Sequence, residues 1–263
     1  MKTKNYLKIL IVGLIMVTAC KKSNQVKEKP NLNRYADVIV QLERAANEME
    51  FIGRYVPSNI AQYPDDGNFL GRGKIARRGT ASGQEITIDF GTGGVCTDGK
   101  FRSGKLTILF NETNFDTMIR PAVYKLEDIE LNGNYNLGYV AGSNGLRLNL
   151  IALDSKITRN GQYWANFSLN RKSEFVQGSN TPNDIADDVY QRTDLSYDVT
   201  LRDNNSTFLI KARGVDGSRL AFSCTDRYYP TTGKLNVEFT GAGQGSFLLT
   251  FSSGTCNGKP IIN

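Results

Sequence analysis

Apolar residues between Leu32 and Ile52 recur at intervals of three and four, which is the spacing of one face of an α-helix. We therefore predict one amphipathic helix over about 32–50. Its buried face would hold Tyr35, Val38, Ile39, Leu42, Ala45, Ala46, Met49 and Ile52. Its solvent-facing stripe would hold Arg34, Asp37, Gln41, Arg44 and Glu48. Because the pattern lasts only about three heptads, we expect this helix to pack against the rest of the chain and not in a coiled coil.

After Pro57 the pattern changes to the period of two that is typical of β-strands. The alternating runs are EITIDF, KLTILF, AVYKLEDIEL, LRLNLIAL, QYWANFSL, LSYDVTL, TFLIKAR, RLAFSC, KLNVEF and SFLLTF. Turn-forming dipeptides punctuate the chain at Asp66-Gly67, Asp98-Gly99, Asn132-Gly133, Asn144-Gly145, Asn160-Gly161, Asp216-Gly217 and Asn257-Gly258. Ten strands with short connections predict an all-β antiparallel meander that forms a sandwich or an open barrel.

One segment departs from this pattern. In TPNDIADDVYQR, Thr181 stands where a helix N-cap would be, Pro182 at the first helical position and Asp184 in the first turn. We predict a short helix inside the longest loop.

The N-terminus carries Lys2, Lys4 and Lys8, followed by nine apolar or small residues over 9–17. This is the order of a secretory signal, and nine helical residues, roughly 13 Å, are too short to cross a bilayer. The next residues, Val17-Thr18-Ala19-Cys20, resemble a bacterial lipobox. The resemblance implies cleavage between Ala19 and Cys20, a diacylglyceryl group on the Cys20 thiol and acylation of the new amine. Acyl chains would then hold the protein on a membrane.

These features predict four parts: a lipoprotein signal peptide at 1–19, a flexible tether at 20–31, the N-terminal helix at 32–56 and the β domain at 57–263. The tether sequence CKKSNQVKEKPN is polar and ends near a proline. No acidic residue follows Cys20 before Glu28, whereas surface-exported lipoproteins of Bacteroidota commonly carry acids there. We therefore favour the periplasmic face of the outer membrane over the cell surface.

The formal charge of +6 arises almost entirely outside the predicted fold. Once the leader lysines and the tether residues Lys21, Lys22, Lys27, Glu28 and Lys29 are set aside, 25 basic and 25 acidic residues remain from Asn31 onward. A nucleic-acid binder needs a basic face. The sequence shows none, so we predict no nucleic-acid partner.

Three cysteines remain after Cys20, in a chain predicted to be exported to an oxidising compartment. One disulfide bond and one spare thiol are expected. We favour Cys224 with Cys256, which close strands of the same direction, while the pairings that include Cys96 stay open.

The order ITIDFG, Cys96, DGKFRSGKLTI, ELNG, RLAFSC, TTGKLNVEF and TCNGK over residues 84–263 resembles a family of uncharacterised Bacteroidota outer-membrane lipoproteins. The resemblance implies an envelope location and a β architecture, and it implies no catalytic role. The sequence departs from the family at Cys256-Asn257-Gly258, where the acid of the family's CDN motif is missing.

The chain contains no histidine, which excludes histidine-dependent triads and the usual zinc ligands. Carboxylate chemistry of the glycosidase kind remains open. Its candidate acids in strands are Asp89, Glu127, Asp128, Asp198 and Glu238. Nothing in their spacing selects a pair, and acids on the exposed face of a sheet are the ordinary interpretation.

Other candidate sites are weaker. Asp184, Asp187 and Asp188 place oxygen ligands in a loop, as calcium prefers, although a helix-capping role explains Asp184 equally well. Asp116-Thr117-Met118 resembles a Bacteroidota O-glycosylation signal in a loop. By the period of two, Trp164 lies on the opposite strand face from Tyr163 and Phe167. We favour a buried Trp164, while an exposed one would indicate sugar or peptide binding.

Together these observations predict a membrane-anchored envelope lipoprotein that acts as a non-enzymatic binding or scaffolding module. Its expected partners are the membrane, through the lipid on Cys20, and an envelope protein or glycan; no cofactor is predicted. Two alternatives remain. One is a carboxylate-dependent carbohydrate-active enzyme. The other is a structural subunit of an outer-membrane complex, which would show a contiguous apolar patch.

Overall fold

A computed structural model describes residues 31–263, apart from 65–66, 143–144, 161, 179–180, 182–183, 185–186, 204–205, 222–223, 225–228, 242 and 252–259. The leader, Cys20, the tether through Pro30 and Cys256 therefore lie outside the described residues.

One long helix comes first and is followed by a 3-10 turn at Ile60–Gln62 and 14 strands. The elements are α1 (Leu32–Ser58), β1 (Asn68–Phe69), β2 (Gly73–Thr80), β3 (Gly83–Asp89), β4 (Gly94–Val95), β5 (Phe101–Asn111), β6 (Thr117–Leu126), β7 (Ile129–Gly142), β8 (Gly145–Arg159), β9 (Tyr163–Gln177), β10 (Val189–Asp203), β11 (Ser206–Ala221), β12 (Thr232–Thr240), β13 (Gln244–Phe251) and β14 (Ile261–Ile262).

The strands form a single antiparallel sheet, which confirms the predicted all-β meander with an N-terminal helix. Each strand pairs with the next one along the chain, with one exception at β4. The short β4 pairs with β5 but not with β3, and β3 pairs directly with β5. The order runs from β1 at one edge to β14 at the other, and the sheet is not closed into a barrel.

The helix α1 begins at the predicted residue, with the Asn31 side chain accepting a hydrogen bond from the Arg34 backbone N–H at 3.2 Å. It continues beyond residue 50, through Pro57, because Phe51, Ile52 and Val56 extend the buried series. The prediction of a solvent-facing stripe is wrong for Gln41, Arg44 and Glu48, which are all buried. Residues on strands from β1 to β12 contact this helix, so the sheet curves around it and covers most of its circumference.

Side chains alternate strictly between the two faces of the central strands. In β9, Tyr163, Ala165, Phe167, Leu169 and Arg171 are buried against the helix side, and the residues between them are partly or fully exposed. We call the face turned away from α1 the outer face.

Two predicted turns lie inside strands. Asn132-Gly133 falls in β7, where the register with β8 shifts and Gly133 adopts φ +121°. A Cβ on Gly133 would lie 2.3 Å from Ser155 Oγ, so only glycine fits this irregularity. Asp216-Gly217 likewise falls at register shifts between β11 and β12. The dipeptides that predict hairpins serve here as bulges.

Two further sequence predictions change. The run AVYKLEDIEL is not one strand, because the chain turns at Glu127, with φ +54°, between β6 and β7. TFLIKAR and RLAFSC belong largely to one strand, β11. The predicted short helix falls largely outside the described residues, and β10 has already begun at Val189.

Candidate functional site

Buried ion pairs join α1 to the inner face of the sheet. Arg102 Nε and Nη2 donate to the two Glu48 carboxylate oxygens at 2.8 and 3.1 Å, and both Nη atoms donate to Asp98 at 2.8 Å. The Tyr124 hydroxyl also donates to Glu48. Burial disfavours the charged form of Arg102, but Glu48, Tyr124 and Asp98 together outweigh this effect and raise the pKa of Arg102.

A second group lies on another face of the helix, at Glu43, Asn47 and Glu50. Arg192 donates to Glu43 and to Asn47, both at 2.5 Å, and Tyr197 donates to Glu43 at 2.8 Å. Arg171, fully buried, donates to Asn47 at 2.8 Å and also to Glu50. These contacts bind one helix face to β9 and β10.

A third group lies near the end of α1. Arg54 forms an ion pair with Asp188 and a hydrogen bond with Tyr190, and its guanidinium lies 4.4 Å from the centre of the Phe175 ring. The buried acids Glu43, Glu48, Glu50 and Asp188 thus each face an arginine. They hold the helix in place, and we assign them no reactive role.

The candidate carboxylates of the strands are dispersed over the outer face and its edges. Asp89 lies 3.9 Å from Lys105, and Asp128 pairs with Arg159 at 2.6 Å. Glu127 accepts a hydrogen bond from the Phe101 backbone N–H at 3.1 Å. Each is thus engaged in a local contact.

Asp198 and Glu238 come nearest to forming a pair. They stand in one cross-strand row on either side of Lys211, and Asp198 is also 2.8 Å from Arg213. Both lie on the exposed outer face. The row offers no contrast of environments that would separate a general acid from a base.

The three calcium candidates do not form a site. Asp188 points inward to Arg54, Asp187 accepts from the Thr181 hydroxyl at 2.8 Å, and Asp184 is exposed. Within the described residues, no three or more His, Cys, Asp or Glu side chains stand close enough together to hold a metal ion. The cause is the buried arginine, which turns Asp188 away from its neighbours.

Two positions singled out in the sequence, Thr117 and Asp89, lie at the ends of strands. Thr117 of the glycosylation-like Asp116-Thr117-Met118 is the first residue of β6 and is buried, so the expectation of an accessible loop is wrong. Asp89 ends β3, where its carboxylate accepts from the Gly91 backbone N–H at 2.8 Å.

Trp164 lies on the outer face, opposite Tyr163 and Phe167 as predicted, and it does not fill the sheet interior as favoured. The Lys156 ammonium lies 4.9 Å and the Arg202 guanidinium 5.3 Å from the centre of the Trp164 ring. Trp164 is therefore a partly exposed aromatic with cations on its ring.

The cysteines are only partly within the described residues. Cys96 is buried and free, as expected of the spare thiol, and burial raises the pKa of that thiol. Cys224 is buried. Its predicted partner Cys256 lies outside the described residues, as do Ala19 and Cys20, so the disulfide pairing and the lipidation stay predictions.

A groove of about 420 Å³ crosses β5 to β8 on the outer face. Leu109, Met118, Asn136 and Ile151 are successive cross-strand neighbours along it. In the adjoining row, Gly138 pairs with Asn149 and leaves room that a side chain would fill, since a Cβ there would lie 3.0 Å from Asp116 Oδ1. The glycine thus opens this end of the groove.

Most of the accessible lining of the groove is apolar, and its polar groups are mainly amides. The Asn149 side-chain carbonyl oxygen is buried and has no hydrogen-bond partner among the described residues. An acceptor in this state favours a ligand that brings a donor. The full lining is Leu109, Asn111, Asp116, Thr117, Met118, Asn136, Leu137, Gly138, Asn149 and Ile151.

Sequence reasoning missed this groove. The available signal was the presence of apolar residues, such as Leu109 and Ile151, at the strand positions that alternation assigns to solvent. Their adjacency depends on strand register, which the pattern alone leaves open.

Comparison with protein-family models, with curated proteins and with solved structures found no match for this chain. No helix among the described residues is long and apolar enough to span a membrane. The likeness to Bacteroidota lipoproteins therefore stays a prediction from the sequence.

Proposed function

We propose that this protein is a lipid-anchored envelope lipoprotein that binds an uncharged saccharide in the outer-face groove and catalyses no reaction. The groove carries the binding part of the proposal. The lipobox-like Val17-Thr18-Ala19-Cys20 carries the anchoring part, and the periplasmic face of the outer membrane is the proposed location.

The chemistry of the groove favours a neutral ligand with both apolar and hydrogen-bonding surface. Leu109, Met118 and Ile151 provide apolar contact, and Asn136 and Asn149 provide amide donors and acceptors. A sugar ring presents C–H faces and hydroxyl donors together. The volume lies within the range of about 300–1,000 Å³ that is usual for small-ligand sites.

The charge distribution of the groove argues against an anionic ligand. The only ionisable side chain in the lining is Asp116, and its carboxylate already accepts from the Asn114 amide at 2.7 Å. An anionic ligand would find no cation in the lining of this groove, whereas the Asp116 carboxylate keeps its negative charge.

The other two functional classes have less support. Every buried acid in the part of the chain that the structure describes faces an arginine. The exposed apolar residues are interrupted by polar neighbours: Leu209 pairs with Thr200 and Thr240, and Val140 pairs with Arg147. These observations favour neither a catalytic pair nor a contiguous docking patch.

The anchor is tested by replacing Cys20 with Ser in the native host. We expect wild-type protein to fractionate with outer membranes, and its mature N-terminus to carry acyl chains by intact mass spectrometry. The Cys20→Ser protein should appear in the soluble fraction or retain its leader. A variant that is processed and sediments like wild type would overturn lipid anchoring.

The groove is tested with an array of neutral and acidic oligosaccharides, followed by calorimetric titration of any hit. We expect binding of neutral members, with Asn149→Leu weakening it at least about tenfold because a buried polar partner is lost. Asn236→Leu is the matched control, since Asn236 lies on the outer face of β12, well outside the groove. Equal loss in both variants, or binding of no neutral saccharide, would contradict the assignment.

A further inference from the structure

The start of α1 lies beside the hairpin turns at one end of the sheet. Arg34 Nη1 donates to the Gln162 carbonyl at 2.8 Å, just before β9, and Arg34 Nε lies 3.6 Å from Asp203 at the end of β10. Asp37 pairs with Arg159 at 2.5 Å, at the end of β8. We call the end of the molecule that holds the β8–β9 and β10–β11 turns the tether end, because the chain from Cys20 enters the fold there.

The outer face at the tether end combines one tryptophan with two cations. Trp164 lies opposite Arg202 across the β9–β10 ladder, and Lys156 lies nearby on β8. Neither Lys156 nor Arg202 has an acidic partner within salt-bridge distance among the described residues, and both touch the indole.

Other cations near this end of the sheet, unlike Lys156 and Arg202, form ion pairs with acids. Arg34, Arg159 and Arg44 pair with Asp203, Asp37 and Asp128. Lys125 pairs with Glu130. Lys156 and Arg202 are therefore two cations near the start of α1 that no acid of the described residues balances.

We propose that the tether end rests on an anionic phospholipid surface, with Trp164 among the headgroups and Lys156 and Arg202 against lipid phosphates. An amphipathic indole and unpaired basic side chains are the groups that favour a bilayer interface. Four lysines in the tether sequence would add to the same attraction. This inference rests on the proposed lipid anchor, which keeps the surface within reach of a membrane.

The docking would orient the groove. Asn111 and Asp116 of its lining lie at the β5–β6 turn, where β5 ends and β6 begins. The β6–β7 turn, at the other end of β6, lies at the tether end, because its Asp128 pairs with Arg159 at the end of β8. With the tether end on the membrane, this part of the groove would point into the surrounding compartment.

Trp164 is the single tryptophan of the chain, so its fluorescence reports on this surface alone. The test uses the acylated full-length mature protein from membranes, reconstituted into vesicles of phosphatidylcholine or of equal parts phosphatidylcholine and phosphatidylglycerol. Vesicles with brominated acyl chains serve for quenching. We expect a blue-shifted emission and at least about twofold quenching in the anionic vesicles, with little of either in the neutral ones or at high salt.

The double variant Lys156→Ala/Arg202→Ala retains the fluorophore and should lose the quenching. Lys211→Ala/Arg219→Ala is the matched control, because it removes two exposed cations of β11 away from Trp164 and should leave the quenching unchanged. Protein that sediments with both vesicle types while Trp164 stays unquenched, or equal effects of the two double variants, would overturn the docking and leave the anchor intact. Protein that sediments with neither vesicle type overturns both.

Discussion

Tyrosines inside the sheet show how one residue type takes two energetic roles. Tyr197 and Tyr124 donate their hydroxyls to the helix carboxylates Glu43 and Glu48. Tyr135 is also fully buried, but its hydroxyl has no partner among the described residues. Burial raises the pKa of Tyr135, and burial together with the Glu43 charge raises the pKa of Tyr197 well above 10. The unpartnered Tyr135 hydroxyl destabilises the fold, whereas the Tyr197 hydroxyl stabilises it through Glu43.

We expect Tyr135→Phe to leave the free energy of unfolding unchanged or to raise it by up to about 1 kcal/mol, because it removes an unsatisfied buried group. Tyr197→Phe should lower it by about 1.5–3 kcal/mol, because Glu43 loses a donor. Urea denaturation at neutral pH measures both. An equal loss in the two variants would contradict the distinction.

The same tyrosines predict sensitivity to alkali. In the unfolded chain their hydroxyls deprotonate near the ordinary pKa of 10.0, whereas the folded protein holds the protons to higher pH. Stability is therefore fully present below pH 10 and falls as the pH rises above it. Unfolding followed by circular dichroism should show this fall, and Tyr135→Phe should make it shallower. A stability that rises between pH 10 and 11 would be inconsistent with these shifts.

At the scale of elements, the helix and the sheet are joined by charges as well as by apolar packing. The helix carboxylates meet arginines from β5, β9 and β10, which fixes the rotation of α1 inside the curved sheet. A buried pair contributes little net stability compared with apolar residues, but loss of one partner leaves a buried charge. The pairs therefore favour this one arrangement of the helix over others.

We expect Arg171→Leu to lower the free energy of unfolding by about 3–5 kcal/mol, since Glu50 loses its arginine and Asn47 loses one of its two donors. Arg78→Leu is the control: its pair with Glu85 is exposed, and the loss should be under about 1 kcal/mol. If Arg171→Leu does not fold, Arg171→Leu/Glu50→Leu should restore expression and part of the stability. Failure of the double variant to exceed the single one would argue against charge burial as the cause.

At the scale of the whole molecule, the sheet is open, and we predict a disulfide bond near its last strands. Cys96 is free and Cys224 is buried at the end of β11, which leaves the favoured pairing with Cys256 consistent with the described residues. The predicted bridge would tie the end of β11 to the segment after β13, across the intervening β12. It would limit fraying at that edge of the sheet.

Peptide mapping without reductant should recover Cys224 linked to Cys256. Cys96→Ser should leave that link in place, and reduction should lower the free energy of unfolding by about 2–4 kcal/mol. Recovery of Cys96 in a bridge would overturn the pairing.

Local patterns were sufficient for the start of α1, for most strands and for the antiparallel meander, because apolar periodicity records which side of each element is buried. The lipobox-like segment is likewise a property of consecutive residues, and its consequences stay predictions.

Only the tertiary structure decided what depends on distant parts of the chain. Glu48 has the spacing of a solvent-facing residue and becomes buried because the sheet curves around the second face of its helix. The groove arises because register places Leu109, Met118, Asn136 and Ile151 side by side. Trp164 is partly exposed because none of the described elements covers its face of the sheet. Sequence periodicity assigns residues to faces, but long-range pairing and curvature decide which faces are covered.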